Sequence, residues 1–288
     1  GIDIASVIPD LASHKPADWL PETPVEKIHV RHTVGLLDPL TADDIPEHER
    51  LNDGLPQSLE DYVTQSGLRY FKIKVSNQLD HDIDRLKQIV AIVEATRAND
   101  YTATLDGNEQ YGSAADFEAL IETIRATPEL ETFWENVIAI EQPLNRAIAM
   151  DPNHTQGIRE LGAHKPVIID ESDDTLDAYP RALELGYRGV SSKGCKGPIK
   201  SILNAGLTWL RNDRNRNHDH IITGEDLTCV GMIALQTDLA LVATLGLTHV
   251  EKNGHHYYHG LEYLPEQHQQ PIREPHPDLY TEIDNTTT

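Results

Sequence analysis

The chain has 288 residues, with 47 acidic against 24 basic side chains and a formal net charge of −23. That balance excludes a nucleic-acid partner, which needs clustered Lys and Arg to neutralise phosphates, and an anionic membrane surface would repel it. Two cysteines, Cys195 and Cys229, cannot build a disulfide framework, and no apolar run reaches the length of a membrane span. The expectation is one large domain in a reducing, cytoplasmic compartment, with the acidic excess reading as a solvated, repulsive surface or, as the alternative, as the mark of a salty habitat.

The chain starts at Gly1 without a methionine, and its first residues have neither the n-region nor the h-region of a secretory leader, so the start reads as a processed or cut end. Residues 1–27, rich in Pro, Asp and Ala, read as an N-terminal arm or remnant linker. A first strand is expected over 28–37, then a polar rim loop over 41–57. Residues 58–66 read as a helix, with Ser58 as cap and Gly67 as stop. Residues 69–75 alternate, which puts Lys72 and Lys74 on one face of a second strand and Phe71, Ile73 and Val75 on the other.

An amphipathic helix over 80–98 leads to a third strand ending at Asp106, and a second over 114–126 leads to a fourth. The fourth lies in Val-Ile-Ala-Ile-Glu-Gln-Pro (137–143), an apolar run that stops at Glu141. A helix over 155–161, stopped by Gly162, precedes a fifth strand ending at Asp170. A helix over 175–185, closed by Gly186, precedes a sixth strand over 187–192, with Lys193 at its end. Helix 198–211, strand 219–223, helix 230–245 and strand 247–251 complete the alternation. Eight strands joined by helices favour a closed barrel over an open doubly wound sheet, and no glycine-rich phosphate motif follows an early strand. The barrel domain is expected over 28–261, and 262–288 reads as a polar C-terminal tail that wraps the outside or meets another domain.

Three successive strands thus finish on an acid: Asp106, Glu141 and Asp170. Strand ends of such a barrel converge on one face, so the three carboxylates can meet around one ion. Oxygen donors alone suit a hard cation, Mg2+, with Mn2+ as the alternative. Strands two and six lie opposite each other in an eight-stranded ring. Lysines at their ends offer an acid or base on each side of one carbon, where a divalent cation stabilises the charge of a deprotonated carboxylate substrate. A neighbouring cation and a second ammonium are expected to lower the lysine pKa.

The ordered set Lys-Ile-Lys (72–74), Leu-Asp-Gly-Asn (105–108), Ile-Glu-Gln-Pro (140–143), Ile-Asp-Glu-Ser (169–172) and Lys-Gly-Cys-Lys-Gly (193–197) resembles the enolase superfamily, in its muconate-cycloisomerase-like subgroup of mandelate racemase and muconate lactonizing enzyme. The resemblance covers residues 28–253. It implies a modified TIM-type (β/α)7β barrel in which Asp106, Glu141 and Asp170 bind magnesium and Lys74 and Lys193 form the opposed acid/base pair. Lys72 then binds the substrate carboxylate and tunes Lys74, and Asn108, Gln142 and Glu171 are partners of the ligands. It also implies an N-terminal capping domain that closes over the barrel. Only 27 residues precede the first strand, so the cap is expected to be absent from this chain.

The implied reaction is α-proton abstraction from a small carboxylate, ending in racemisation, epimerisation or cycloisomerisation. The alternatives are an acid-sugar dehydratase and a non-catalytic metal-binding barrel. A homo-oligomer stays open. Lys196 lies in the loop before the next helix and is expected to contact substrate, unless it replaces Lys193 as the acid/base. His255, His256 and His259, with Tyr257 and Tyr258, could line the pocket, form plain surface or hold a second metal. Thr223-Gly224-Glu225-Asp226 reads equally as substrate contact or helix cap. Cys195 has no histidine paired with it in sequence and little claim to a nucleophilic role.

Overall fold

The computed structural model describes residues 3–214, 220–231, 233–258, 260–277, 279–280, 282–283 and 286–287. Eight parallel strands close into a barrel in chain order, the last pairing with the first. They are β1 (His29–Val34), β2 (Tyr70–Lys74), β3 (Thr102–Asp106), β4 (Val137–Glu141), β5 (Val167–Ile169), β6 (Gly189–Ser192), β7 (Ile221–Gly224) and β8 (His249–Lys252). The helices through the fourth strand are α1 (Ile4–Val7), α2 (Leu59–Gln65), α3 (Leu79–Arg97), α4 (Ala114–Ala126) and α5 (Glu131–Asn136). After it come α6 (Arg146–Ala149), α7 (Thr155–His164), α8 (Ala178–Leu185), α9 (Pro198–Arg214), α10 (Ile233–Thr244) and α11 (Glu266–Arg273).

The alternation of β2 sends Phe71, Ile73 and Val75 into the layer between barrel and helices, where all three are buried. The stripes Ile83, Leu86, Ile89, Val90 and Val93 of α3, and Phe117, Leu120, Ile121 and Ile124 of α4, pack into the same core. Ser58 and Ser113 cap α2 and α4, each side chain accepting from the backbone N–H three residues on. Gly186 closes α8 at φ +107°, a left-handed conformation that a side chain would strain. At the N-terminal end of the barrel, the rings of His29, Tyr70 and His249 stack, 5.2 and 4.9 Å apart.

Some boundaries differ from expectation. The helix expected to stop at Gly162 continues to His164, whose Nε2 lies 2.7 Å from Glu118 Oε1 of α4. Pro166 ends it instead, by disfavouring helical backbone at Lys165. The helix expected from residue 175 begins at Ala178, after a turn in which the Asp173 amide donates to the Asp170 carbonyl.

The N-terminal arm is docked rather than loose. Leu11 is fully buried, Trp19 Nε1 donates to the Ile202 carbonyl of α9 at 3.0 Å, and the Val25 amide donates to the Ala243 carbonyl of α10. In the tail, Ile272 of α11 packs with Leu261 and Tyr280 against Leu235 of α10. Among the described residues, no helix is long and apolar enough to cross a membrane, and Cys195 and Cys229 are free thiols.

Candidate active site

The acids expected at the strand ends do converge. Asp106 and Glu141 are register partners on β3 and β4, and Asp170 follows the last residue of β5. All three are buried, and so is Lys72. Because Lys72 and Lys74 are two residues apart on β2, both turn inward. The Lys72 ammonium lies 2.8 Å from Glu141 Oε1, 3.1 Å from Asp106 Oδ2 and 3.2 Å from Glu225 Oε2. Lys74, nearer the mouth, donates to Asn108 Oδ1 at 3.1 Å and stands 3.9 Å from Asp106 Oδ2.

Across the ring, Lys193 lies 2.7 Å from Asp170 Oδ2 and 2.5 Å from Asp226 Oδ2. Lys196 reaches the same acid from the following turn, donating to the Asp170 carbonyl at 2.7 Å, to Asp170 Oδ1 at 2.9 Å and to Ser191 Oγ at 2.9 Å. The expected difference between the two lysines is therefore one of route: both amines converge on Asp170, and neither is turned away. Lys196 is the more firmly built into the wall, while Lys193 bridges to Asp226, itself half-exposed at the mouth.

Partner residues hold these carboxylates in place. The Asn108 amide donates to Asp106 Oδ1 at 2.7 Å, and Asn108 Nδ2 donates to Glu171 Oε1 at 3.1 Å. Gln142, fully buried at φ +34°, accepts on Oε1 from the amides of Asp170 and Ser172 and donates from Nε2 to Ser172 Oγ and the Leu144 carbonyl. It thereby locks the end of β4 to the end of β5.

The electrostatics follow from crowding like charges out of water. Burial, with Glu225 beside it, pushes the Glu141 carboxyl well up despite Lys72. Burial would raise Asp170 too, but Lys196 and Lys193 outweigh it and hold that carboxyl down. The lowering expected of a lysine comes from a neighbouring cation and a second ammonium, whereas the protein's own charges act on Lys193 and Lys72 in the other direction. Burial would lower Lys193, yet the carboxylates of Asp170 and Asp226 overcome it and hold the ammonium up. Lys72 is raised in the same way by Glu141, Glu225 and Asp106.

Among the described residues, no three His, Cys, Asp or Glu side chains stand in a ready-made coordination geometry, because ammonium groups take up the charge of Asp106, Glu141 and Asp170. The donor set nonetheless fits a hard divalent cation. It is all oxygen, and Glu141 Oε2 is buried without a hydrogen-bond partner, a carboxylate lone pair left over for an ion.

Several residues of the site went unrecognised in the sequence. Arg31, fully buried, pairs with Glu225 and donates to the Gly224 carbonyl at 2.9 Å. Glu251 accepts from the Thr33 hydroxyl and from the Asp226 amide. Burial would raise Glu225, but Arg31 and then Lys72 hold it down. The signal was present: His29, Arg31 and Thr33 alternate on the first strand as Lys72 and Lys74 do on the second, and Glu251 ends a strand as Glu141 does. Glu225, for which the sequence offers substrate contact or helix cap, pairs with Arg31 and Lys72. Behind Lys196, Asp173 is 3.8 Å from its amine and 3.1 Å from that of the buried Lys200.

The histidine loop after β8 joins the rim loop after β1. His255 Nε2 lies 2.7 Å from Asp53 Oδ2, His256 Nδ1 lies 3.2 Å from the Tyr62 hydroxyl, and the Tyr257 hydroxyl donates to Asp38. His259 lies outside the described residues. The others are occupied in holding the rim, and among the described residues they form no metal cluster.

No family model and no curated protein matches the chain. Among solved structures, the barrel is similar to a mandelate racemase/muconate lactonizing enzyme from Roseiflexus sp., at TM-score 0.54 and 18% identity, covering 80% of this chain and 55% of that one. It is similar to an N-succinyl Arg/Lys racemase from Bacillus cereus, at TM-score 0.53 and 19% identity, covering 80% of this chain and 53% of that one. It is also similar to a dipeptide epimerase from Enterococcus faecalis complexed with Mg and the dipeptide L-Leu-L-Tyr, at TM-score 0.53 and 16% identity, covering 86% of this chain and 61% of that one. The fold of these enzymes is shared, and the chain spans about half the length of the first two.

Proposed function

We propose that this chain is the barrel part of a magnesium-dependent enolase-superfamily isomerase that moves the α-proton of a small carboxylate substrate. The observation that carries the reading is the pair of lysine ends, Lys74 on β2 and Lys193 after β6, on opposite sides of the Asp106–Glu141–Asp170 cluster. A structural cluster of acids needs counter-charge, which Lys72 and Lys196 already supply. It does not need two further amines at the mouth from opposite strands.

Asp106, Glu141 and Asp170 would hold the divalent cation, which supplies stabilisation of the negative charge that grows on a substrate carboxylate as its α-carbon loses a proton. Lys74 faces the carbon from the β2 side and Lys193 from the β6 side. One neutral amine takes the proton and the other ammonium returns one to the opposite face, which inverts the centre. Lys193, held protonated between Asp170 and Asp226, is set as the donor in the arrangement described. Lys72, at the foot of the site between Asp106 and Glu141, directs a positive charge at the substrate carboxylate. The substrates named for the solved relatives, an N-succinyl amino acid and a dipeptide, share an α-proton beside a carboxylate, and that class is the one to offer first.

The test is incubation of the protein with Mg2+ and a library of dipeptides and N-acyl amino acids in deuterated water, read by proton NMR. Loss of the α-proton signal is expected, and no exchange with any member would count against the reading. A second reading is favoured by Lys72, whose ammonium alone satisfies three carboxylates: a barrel with a structural charge cluster and no activity. It expects Mg2+ to alter stability with no exchange, and Lys74→Ala to leave every measurable property intact.

A further inference from the structure

On the face opposite the candidate active site, a cleft of 480 Å3 is lined by Arg159, Arg188, Arg211, Arg214 and His220, with Leu183 and Tyr187 as its apolar side. Its place in the fold is set by Arg188, whose amide donates to the Val167 carbonyl at the start of β5, and by Ile221 at the start of β7, whose amide donates to the Arg188 carbonyl. These are the N-terminal ends of the strands. α7 contributes Arg159, and the last turn of α9 contributes Arg211 and Arg214.

The chain has fourteen arginines and a net charge of −23, so four guanidinium groups around one cleft, with no carboxylate among the described residues that line it, is a local reversal of the molecule's charge. Like charges gathered this way repel unless an anion joins them. Among the described residues, one carboxylate reaches the four guanidinium groups, Asp10, and it reaches Arg211 alone. Arg211 is 3.6 Å from Asp10 of the N-terminal arm, and its Nε is buried with no hydrogen-bond acceptor. Among the described residues, Arg159 donates only to the Glu184 carbonyl, at 3.3 Å, and Arg188 and Arg214 have no ion-pair partner.

The backbone keeps the space open and its walls fixed. A side chain at Gly186 would meet Arg159 Cγ at 2.6 Å, and Gly162 lets the Arg188 guanidinium lie 3.8 Å from where a Cβ would be. Tyr187 is anchored through its hydroxyl to the Ala149 carbonyl at 2.8 Å, and the backbone of His220 is held on both sides by Asn212.

We propose that this cleft binds a small phosphate-bearing anion, at a site separate from the barrel mouth. Guanidinium groups match phosphate oxygens with two parallel hydrogen bonds, and the volume accommodates a phosphate ester or a diphosphate with its organic part against Leu183. The site stands on geometry and charge independently of the reaction assigned to the mouth.

The test is calorimetric titration of the 288-residue protein, at fixed ionic strength and without Mg2+, with pyrophosphate, adenosine monophosphate and sulfate in separate runs. Pyrophosphate or the monophosphate is expected to bind at one site and more tightly than sulfate, and which of them binds better distinguishes a diphosphate from a phosphate-ester ligand. Arg188→Gln and Arg214→Gln should each weaken that binding about tenfold, the worth of a charge-assisted hydrogen bond. A Lys74→Gln/Lys193→Gln variant should bind as the parent does. Arg214 is exposed at a helix end, so its variant carries the test if Arg188→Gln fails to fold. Absence of binding by either phosphate compound, binding equal to that of sulfate, binding untouched by Arg214→Gln, or binding lost in the lysine variant would each overturn the proposal. A drop in molecular mass on gel filtration of Arg214→Gln, without phosphate binding, would overturn it in favour of an interface between copies.

Discussion

Lys193 and Lys196 share one carboxylate but not one role. Lys193 also reaches the mouth-side Asp226, whereas Lys196 is bound to the Asp170 carbonyl and to Ser191 in the wall. Lys193→Ala is therefore expected to abolish return of a proton from the β6 side while leaving deuterium exchange driven by Lys74, so that one substrate enantiomer still exchanges and the other does not; chiral chromatography with NMR separates the two. Lys196→Ala is expected to cost about 2 kcal/mol of stability by urea unfolding, because a buried carboxylate loses part of its counter-charge. A third residue-scale effect concerns pH. His32 is held at about 3, by burial first and then by the charges of His256 and Lys252, against 6.5 unfolded. It stays neutral in the fold while the unfolded chain takes up a proton. Its contribution to stability is thus complete above pH 6.5 and declines as pH falls towards 3, by about 1.4 kcal/mol per pH unit. Over that window, the stability difference between the parent and His32→Gln should shrink on acidification; a constant difference would show that the histidine has the same pKa in the folded and the unfolded chain.

Among the elements, the join between β6 and β7 is the least forgiving. An added Cβ at Gly189 would lie 2.2 Å from the Ile221 carbonyl oxygen, a backbone atom that cannot move without breaking the strand pairing. Gly189→Ala is expected to destabilise the barrel by about 3 kcal/mol, read as a lowered urea midpoint. It should also weaken the site, since Ser191 and Lys193 continue the same strand. By contrast, Ser113→Ala removes only the cap of α4, on the outside, and should cost about 1 kcal/mol with no change in exchange activity. The two variants together separate damage to the ring from damage to its shell.

For the whole molecule, the competing readings differ in what a cation does to folding. In the catalytic reading, Mg2+ held by Asp106, Glu141 and Asp170 would stabilise the fold through mass action, by about 2.7 kcal/mol at one hundred times its dissociation constant. A rise in Tm with Mg2+ is expected in the parent and should vanish in Glu141→Gln, measured by scanning calorimetry. Persistence of the rise in that variant would place the cation elsewhere. The arm before β1 is part of this same body: Leu11 is buried against α9, and Leu11→Ala should cost about 2–4 kcal/mol by chemical unfolding.

The amino-acid sequence alone determined whatever depends on local period and local stereochemistry. The alternation at Phe71, Lys72, Ile73 and Lys74, the stripes of the helices at 79–97 and 114–126, the cap at Ser58 and the left-handed stop at Gly186 are consequences of backbone geometry within a few residues. Acids at the ends of successive strands were legible for the same reason, and with them the convergence of Asp106, Glu141 and Asp170. Local period shows that a side chain faces inward, but not which of the other strands it meets. Only closure of the ring brought Lys72 to Glu225, from β2 to the end of β7, and placed Arg31 of β1 beside them. Closure also set the direction in which the protein's own charges move Lys193, because its pKa answers to Asp170 and Asp226 at contact distance, and those contacts join segments far apart in the chain. The arginine cleft at the other end has the same origin: α7, α8, α9 and the approaches to β6 and β7 each supply one to three residues, and the charges of Arg159, Arg188, Arg211 and Arg214 meet only when the helices pack around the barrel.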